Sequence, residues 1–136
     1  MVETGELKTA LAHCTLAVKD VAKTSEFFAK TLNWQPIPRP GNITHKANWL
    51  SIGPGQELHL LEFADFEPSP FEREGGRHIA FTYPLEDFAG LKTRLVENGA
   101  EVIPPRRETA FQRFFFREPN GYVFEVVQTG HEQVSG

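Results

Sequence analysis

Three histidines and one glutamate occupy matched positions in the two halves of this chain of 136 residues. His13 and His59 lie 46 residues apart, His78 and Glu125 lie 47 apart, and the second pair follows the first after 65 or 66 residues. Neutral imidazole and carboxylate are side chains that bind zinc, nickel, iron, manganese and cobalt. The spacing therefore indicates a duplicated module whose equivalent residues could converge on one metal site.

The segments that carry these residues predict a strand followed by a helix, twice. The strand-like runs 13–18 and 78–83 each begin with a histidine. The first helix is expected to start after Asp20, a good N-cap residue, and to end before Asn33, which tolerates the left-handed conformation. The second is expected to run from about residue 86 to 96 and to stop at Gly99.

Three extended stretches should follow each helix, joined by a hairpin turn at 53–56 in the first half and at 118–121 in the second. They are 34–37, 47–52 and 57–63, and then 101–103, 111–117 and 122–128. The sequence thus predicts an α+β fold of two tandem βαβββ modules, about 8–63 and 76–128. Together they form one domain over 8–128, followed by a flexible tail at 129–136.

Strand parity tests whether the four candidates could share a cavity. Alternate residues of a strand face opposite sides, so the apolar Leu16 and Val18 should pack under a helix and turn His13 the other way. The same alternation turns the other three candidates away from the most apolar face of their strands. Arg113 and Phe115 share a face of their strand that should also point toward Glu125.

Composition excludes several classes of protein. With 14 basic and 18 acidic side chains the net charge is −4, which disfavours a nucleic-acid partner. The chain lacks an apolar run near 18 residues, and its first nine residues are polar, so neither a membrane span nor a signal peptide is expected. The single cysteine, Cys14, excludes an internal disulfide and favours a reducing cytoplasm. By parity it should face the core as a small hydrophobe.

Five segments give the chain a resemblance to a known family, the vicinal oxygen chelate superfamily. They are His13–Asp20 (HCTLAVKD), Ser25–Phe28 (SEFF), Leu58–Glu62 (LHLLE), His78–Phe81 (HIAF) and Phe116–Glu125 (FREPNGYVFE). The superfamily includes glyoxalase I, fosfomycin-modifying thiol transferases, methylmalonyl-CoA epimerase, extradiol dioxygenases and bleomycin-resistance proteins. The resemblance covers about Leu11 to Gln128, and it does not select one member.

The resemblance implies a curved, mixed, eight-stranded sheet around an open cavity, with the helices outside. Metal ligands in such folds come from the first and fourth strands of both modules, which here implies His13, His59, His78 and Glu125. Single-domain relatives associate as two-fold dimers, so a homodimer is expected. The modules could pair within one chain or across two chains.

Two classes of function are compatible with this pattern. The favoured one is a divalent-metal-dependent enzyme, a lyase, isomerase, transferase or dioxygenase, whose small substrate chelates the metal through two vicinal oxygens. Glu125 is the candidate catalytic base. The alternative is a metal-free small-molecule binding protein of the drug-sequestering, bleomycin-resistance type. Those binders usually lack the full ligand set that this chain retains, and the metal, the substrate and the reaction stay open.

Two features narrow the chemistry of the favoured class. His59 stands where the glyoxalase branch has a second carboxylate, so weak or absent turnover of the methylglyoxal-glutathione hemithioacetal is expected. Arg113 and Phe115 are candidate substrate-binding residues, and an arginine beside the metal would bind an anionic group. A surface arginine on an edge strand is the alternative. His45 and His131 are expected to be solvated, and Glu62 to be a surface charge.

Overall fold

The computed structural model describes residues 5–43 and 46–134, so His45 lies outside the described residues. The elements in chain order are β1 (His13–Val18), α1 (Val21–Leu32), β2 (Pro36–Ile37), β3 (Ala47–Gly53), β4 (Gln56–Glu62), β5 (Ile79–Tyr83), α2 (Phe88–Glu97), β6 (Glu101–Ile103), β7 (Arg113–Arg117) and β8 (Val123–Gln128). The prediction of two consecutive βαβββ modules is confirmed.

The first helix begins and ends at the predicted residues because both caps are local. The side chain of Asp20 accepts a hydrogen bond from the backbone N–H of Lys23 at 2.9 Å. Asn33 has φ 58°, and its backbone N–H closes the last turn on the carbonyl of Ala29. Glu62, expected to be a surface charge, instead accepts the N–H of Val21 at 3.1 Å and satisfies a second free donor of the first turn.

The second helix starts two residues later than predicted. A 3-10 turn, Leu85–Asp87, precedes it, because the N–H of Asp87 bonds to the carbonyl of Pro84, three residues back. Its end agrees with the sequence, since Gly99 adopts φ 92° and the N–H of Ala100 returns to the carbonyl of Leu95.

Each module forms its own four-stranded mixed sheet, with the order β1-β4-β3-β2 in the first and β5-β8-β7-β6 in the second. The first and last strands of each module are parallel, with Thr15 opposite His59 in one sheet and Ala80 opposite Glu125 in the other. This match confirms the duplication and the α+β class. Over 5–43 and 46–134 the two sheets share no hydrogen-bonded edge, so one chain does not form a continuous eight-stranded sheet.

The apolar faces of both sheets and both helices share one core. Its fully buried members are Leu16, Val18, Phe28, Leu50, Leu58, Leu60, Leu91, Leu95, Phe114, Phe116, Phe124 and Val126. Cys14 packs against this cluster, as parity predicted. The candidate site residues on β1, β4 and β8 therefore lie on the opposite faces of their sheets.

Polar contacts fix the second module against the first at the β7–β8 turn. Asn120 accepts the backbone N–H of Lys19 at 3.1 Å and donates to the hydroxyl of Thr24 at 2.9 Å. The hydroxyl of Tyr122 donates to the carbonyl of Ala17 at 2.8 Å. These contacts join the turn to the end of β1 and the start of α1.

In the predicted tail, residues His131–Gln133 form a 3-10 turn. Among the residues that the structure describes, we find no helix with the length and apolar character needed to cross a membrane.

Candidate metal centre

The histidines of the first module stack on one another. His13, at the start of β1, lies with its ring 4.0 Å from the ring of His59 on β4, and the two planes differ by 14°. Trp49 on β3 covers the other face of His59 at 3.9 Å and 7°. Trp49 and His59 are directly opposite one another in the sheet, so the strand register aligns these two rings. His13 reaches His59 diagonally, since the residue opposite His59 on β1 is Thr15.

A carboxylate also holds His59. Its Nε2 lies 2.8 Å from Oε1 of Glu57, and only 12% of the His59 side chain is exposed. The Nε2 atom is therefore engaged within the chain, and the ring is covered on both faces. The prediction that His59 is a metal ligand stays a prediction, and this geometry favours a supporting role beside His13.

The candidates of the second module form a direct pair. Nε2 of His78 lies 3.1 Å from Oε1 of Glu125, and the two side chains are 22% and 13% exposed. The Nδ1 atom of His78 lies 3.2 Å from the backbone carbonyl of Arg73. A carbonyl only accepts, so Nδ1 carries a proton, and Nε2 faces Oε1 of Glu125 at hydrogen-bonding distance.

Phe115 and Arg113 support this pair from the neighbouring strand. Phe115 lies opposite Glu125 in the sheet, is 1% exposed, and packs edge-on against the ring of His78 at 5.2 Å. Arg113 donates from Nη1 to Oε2 of Glu125 at 3.0 Å. Both residues thus share the face of Glu125, as parity predicted, and both contact the candidate ligands.

The charge of Arg113 is divided between two carboxylates. Its Nη2 donates to Oε2 of Glu74 at 3.0 Å and to the carbonyl of Arg107 at 2.7 Å, and its side chain is only 3% exposed. Glu74 also accepts the backbone N–H groups of Arg106 and Arg107 at 2.7 and 3.0 Å. The bond from Arg106 is the largest of the effects that lower the pKa of Glu74 below its ordinary value.

The structure does not bring the two pairs together within one chain. Over the described ranges, 5–43 and 46–134, no group of three or more His, Cys, Asp or Glu side chains is placed to hold a metal ion. Each module therefore presents two of the four predicted ligands, and neither pair is a complete site.

Two cavities are lined by members or sheet neighbours of these pairs. The first, of about 830 Å³, is lined by Arg73, Glu74, Gly75, Ile103, Pro104, Arg106, Arg107, Phe115, Arg117 and Val123. The second, of about 720 Å³, lies between β1 and β5, and its lining includes His13 and Cys14. The four arginines of the first cavity contrast with the net charge of −4 for the whole chain. This cavity is therefore a local basic region beside Glu125.

Sequence reasoning missed three supporting residues, Trp49, Glu57 and Glu74. Trp49 and Glu57 could have been found from the strand register, since one lies opposite His59 and the other two residues before it. Nothing in the sequence marks Glu74, because it lies in the loop between the modules and its partners are 32 to 39 residues away.

The chain thus has two βαβββ modules, each with a pair of candidate metal-binding side chains at its first and last strands. The chain belongs to the Glyoxalase/Bleomycin resistance protein/Dioxygenase superfamily, whose family model matches residues 10–126. The resemblance inferred from the five segments is confirmed.

Several known proteins resemble the chain at similar levels of sequence identity. The chain is 26% identical to metallothiol transferase FosB of Shouchella clausii over 84% of this chain and 76% of that protein. It is 27% identical to glyoxylase I 4 of Arabidopsis thaliana over 87% of this chain and 70% of that protein. A solved FosX variant of Listeria monocytogenes, in complex with Mn(II) and 1S,2S-dihydroxypropylphosphonic acid, is 27% identical. It superposes with a TM-score of 0.71 over 89% of this chain and 90% of that one.

Proposed function

We propose that this protein is a divalent-metal-dependent enzyme whose small substrate chelates the metal through two vicinal oxygens. The observation that carries the proposal is the convergence of Nε2 of His78 and Oε1 of Glu125, with Nδ1 of His78 already committed to a carbonyl. Imidazole and carboxylate fit zinc, nickel, iron, manganese or cobalt. Mn(II) and a substituted diol in the FosX complex support this assignment.

The site is completed by a second copy of the chain. We assign His13 from one chain, and His78 and Glu125 from its partner, to one metal, because each chain alone offers only incomplete pairs. A two-fold dimer would contain two such sites. His59 lies outside this set of three, since its Nε2 faces Glu57.

His13, His78 and Glu125 would hold a metal that would supply a Lewis acid for negative charge on the substrate oxygens. Arg113 orients the carboxylate of Glu125 through Oε2, while Oε1 faces His78. That Glu125 is also the catalytic base stays a prediction. Phe115 packs against the ring of His78. Trp49 stacks on His59, which in turn stacks on His13.

The substrate of the proposed enzyme carries an anionic group. The guanidinium groups of Arg106 and Arg107 have no ion-pair partner among the described residues, and both residues line the basic cavity beside Glu125. Arg113 and Phe115 were the predicted substrate contacts, and this part stays a prediction. Because Arg113 already serves two carboxylates, the exposed arginines are better placed to bind an anion.

The reaction and the compartment are finer parts of the proposal. His59 in place of a second carboxylate still predicts weak or absent turnover of the methylglyoxal-glutathione hemithioacetal, which a direct assay tests. We place the protein in the cytoplasm on the basis of its single cysteine. Recovery of the chain in a secreted or membrane fraction would contradict that placement.

Metal titration tests the ligand assignment. Chelator-treated protein is titrated with Mn²⁺ and Zn²⁺, and about one ion per chain is expected. His13→Ala and Glu125→Ala should each weaken binding more than about 100-fold, since losing a ligand exceeds the usual 10–100-fold effect of losing an outer partner. His59→Phe keeps a ring stacked against His13 and should weaken binding much less than either of these two variants.

His131→Ala is the control, because His131 lies on a 3-10 turn and its ring packs against Phe111, which is not an assigned ligand. Full binding by the Glu125→Ala variant would remove Glu125 from the site. A large loss in His59→Phe would return His59 to the ligand set. No binding by the unmodified protein would favour the metal-free binding protein instead.

A further inference from the structure

One short turn of the loop between the modules contacts His78 directly and is connected to Glu125 through Arg113. We call residues 72–77 the linker turn. Its Arg73 carbonyl lies 3.2 Å from Nδ1 of His78. Its Glu74 carboxylate accepts from Arg113, which donates to Glu125. The linker turn thus reaches His78 directly and Glu125 through one arginine.

The backbone of the linker turn is closely constrained. The N–H of Arg77 bonds to the carbonyl of Phe71 at 2.7 Å, and the N–H of Gly76 bonds to the carbonyl of Arg73 at 3.0 Å. A Cβ on Gly76 would lie 2.1 Å from the carbonyl oxygen of Phe71, so no other residue fits there without a backbone shift. The position of the Arg73 carbonyl is therefore fixed by the path of the chain.

A buried carboxylate anchors the linker turn to the second sheet. The side chain of Glu72 is 1% exposed, and it accepts the backbone N–H of Val123 at 2.9 Å and Nη1 of Arg77 at 2.6 Å. Val123 lies two residues before Glu125 on β8. The anchor therefore holds the turn at the strand that carries the candidate ligand.

Glu74 and Glu125 share the guanidinium group of Arg113. Arg113 is almost fully buried, and its two terminal nitrogens are divided between Glu125 and Glu74. If Glu74 were neutral, the guanidinium would be balanced by Glu125 alone, and a metal would have to compete with it for that carboxylate. Two backbone N–H groups hold Glu74 in place for this task.

We infer that Glu74 is a positioning residue of the metal site, which acts on Glu125 through Arg113 while the Arg73 carbonyl sets the tautomer of His78. The inference rests on the proposed assignment of His78 and Glu125 as ligands. Outer partners of this kind usually change metal affinity 10–100-fold. The sequence position of Glu74, outside every strand and helix, gave no sign of this role.

A double-mutant cycle measured by metal affinity tests the inference. Chelator competition with Mn²⁺ and Zn²⁺ is carried out on the unmodified protein, Glu74→Gln, Arg113→Met and the double variant. Glu74→Gln should weaken binding by about 10-fold or more. In the Arg113→Met background, Glu74→Gln should change the affinity by less than about twofold, because its effect passes through the missing guanidinium.

The matched control is Glu101→Gln, which neutralises an exposed glutamate that lies 3.8 Å from a different arginine, Arg117. It should bind metal like the unmodified protein. Circular dichroism at the assay temperature shows that each variant is folded, so a lower affinity is not a loss of native protein. An additive cycle would mean that Glu74 does not act through Arg113, and overturns the inference.

The cycle also separates this inference from the proposed function. Metal-binding unmodified protein, a defective Glu125→Ala variant and a Glu74→Gln variant of normal affinity would overturn the role of Glu74 alone. Absent metal binding, or an unaffected Glu125→Ala variant, would overturn the ligand assignment and the inference together.

Discussion

At the scale of single residues, the arginines near Glu125 divide into two groups. Arg113 is buried, with one terminal nitrogen on Glu125 and the other on Glu74, while its Nε has no hydrogen-bond partner among the described residues. Arg106 and Arg107 are exposed, and only their backbone N–H groups and one carbonyl are hydrogen-bonded. The buried arginine can orient a protein carboxylate, whereas the exposed pair can bind an external anion.

Replacing both exposed arginines therefore tests the anionic substrate. The double variant Arg106→Gln/Arg107→Gln should bind methylphosphonate about tenfold more weakly in calorimetry with Mn²⁺ present, a loss of about 1.4 kcal/mol. Metal affinity should be unchanged, because neither guanidinium contacts an assigned ligand. The control is Arg39→Gln, since Arg39 contacts Asn48 away from this cavity. Equal affinity in the double variant and the control would reject the cavity as the anion site.

At the scale of secondary-structure elements, the β7–β8 turn is a joint between three parts of the chain. Gly121 occupies it with φ 100°, and a Cβ there would lie 2.8 Å from Cβ of Pro68 in the loop between the modules. The adjacent Asn120 bonds to β1 and α1. The turn therefore needs a residue that tolerates a positive φ and has no Cβ to collide with Pro68, and glycine meets both conditions.

Comparing two glycines separates these requirements. Gly99 also has a positive φ, 92°, but a Cβ there would meet no atom within 4 Å. Gly99→Ala should cost about 1–2 kcal/mol of unfolding free energy from backbone strain alone. Gly121→Ala should cost about 1 kcal/mol or more beyond that, because it also displaces Pro68. Urea unfolding of both variants measures the difference. Equal losses of unfolding free energy would show that the loop at Pro68 moves aside without a measurable energetic cost.

At the scale of the whole molecule, the two modules share a core but not a sheet. The buried aromatic rings cross the module boundary, for example Phe28 with Phe124 at 5.6 Å. The faces that carry the candidate ligands point away from this core, and no edge hydrogen bonds join β1 to β5 over the described residues. A single chain thus has one shared core, and we propose that a second chain completes its site.

Subunit mixing tests this arrangement. His13→Ala and Glu125→Ala chains carrying different tags are refolded together, and the heterodimer is isolated through both tags. If His13 and Glu125 of one site come from different chains, the heterodimer has one intact site and one doubly damaged site. It should bind about one metal ion, half of the unmodified dimer, while each parent binds almost none.

A site built within one chain predicts the opposite result. Every chain of the heterodimer then lacks one ligand, so mixing restores no binding. A monomer in light scattering at high micromolar concentration would also contradict the arrangement.

The sequence by itself determined the features that depend on neighbours along the chain. Asp20 and Asn33 cap the first helix through contacts within four residues, and alternation along each strand decided which residues face the core. The duplication could be recognised in the sequence because both modules have the same order of elements, so similar residues recur at a fixed spacing. The pairs His13–His59 and His78–Glu125 follow from that order, since β1 pairs with β4 and β5 with β8.

Only the tertiary structure decided how these pairs relate to one another and what supports them. The separation of the two sheets depends on how aromatic side chains fill the shared core, and no local pattern encodes that fit. The division of Arg113 between Glu125 and Glu74 depends on where the linker turn docks, 39 residues from its partner in sequence. Such contacts are set by the packed fold as a whole, because each requires three distant segments to meet at hydrogen-bonding distance.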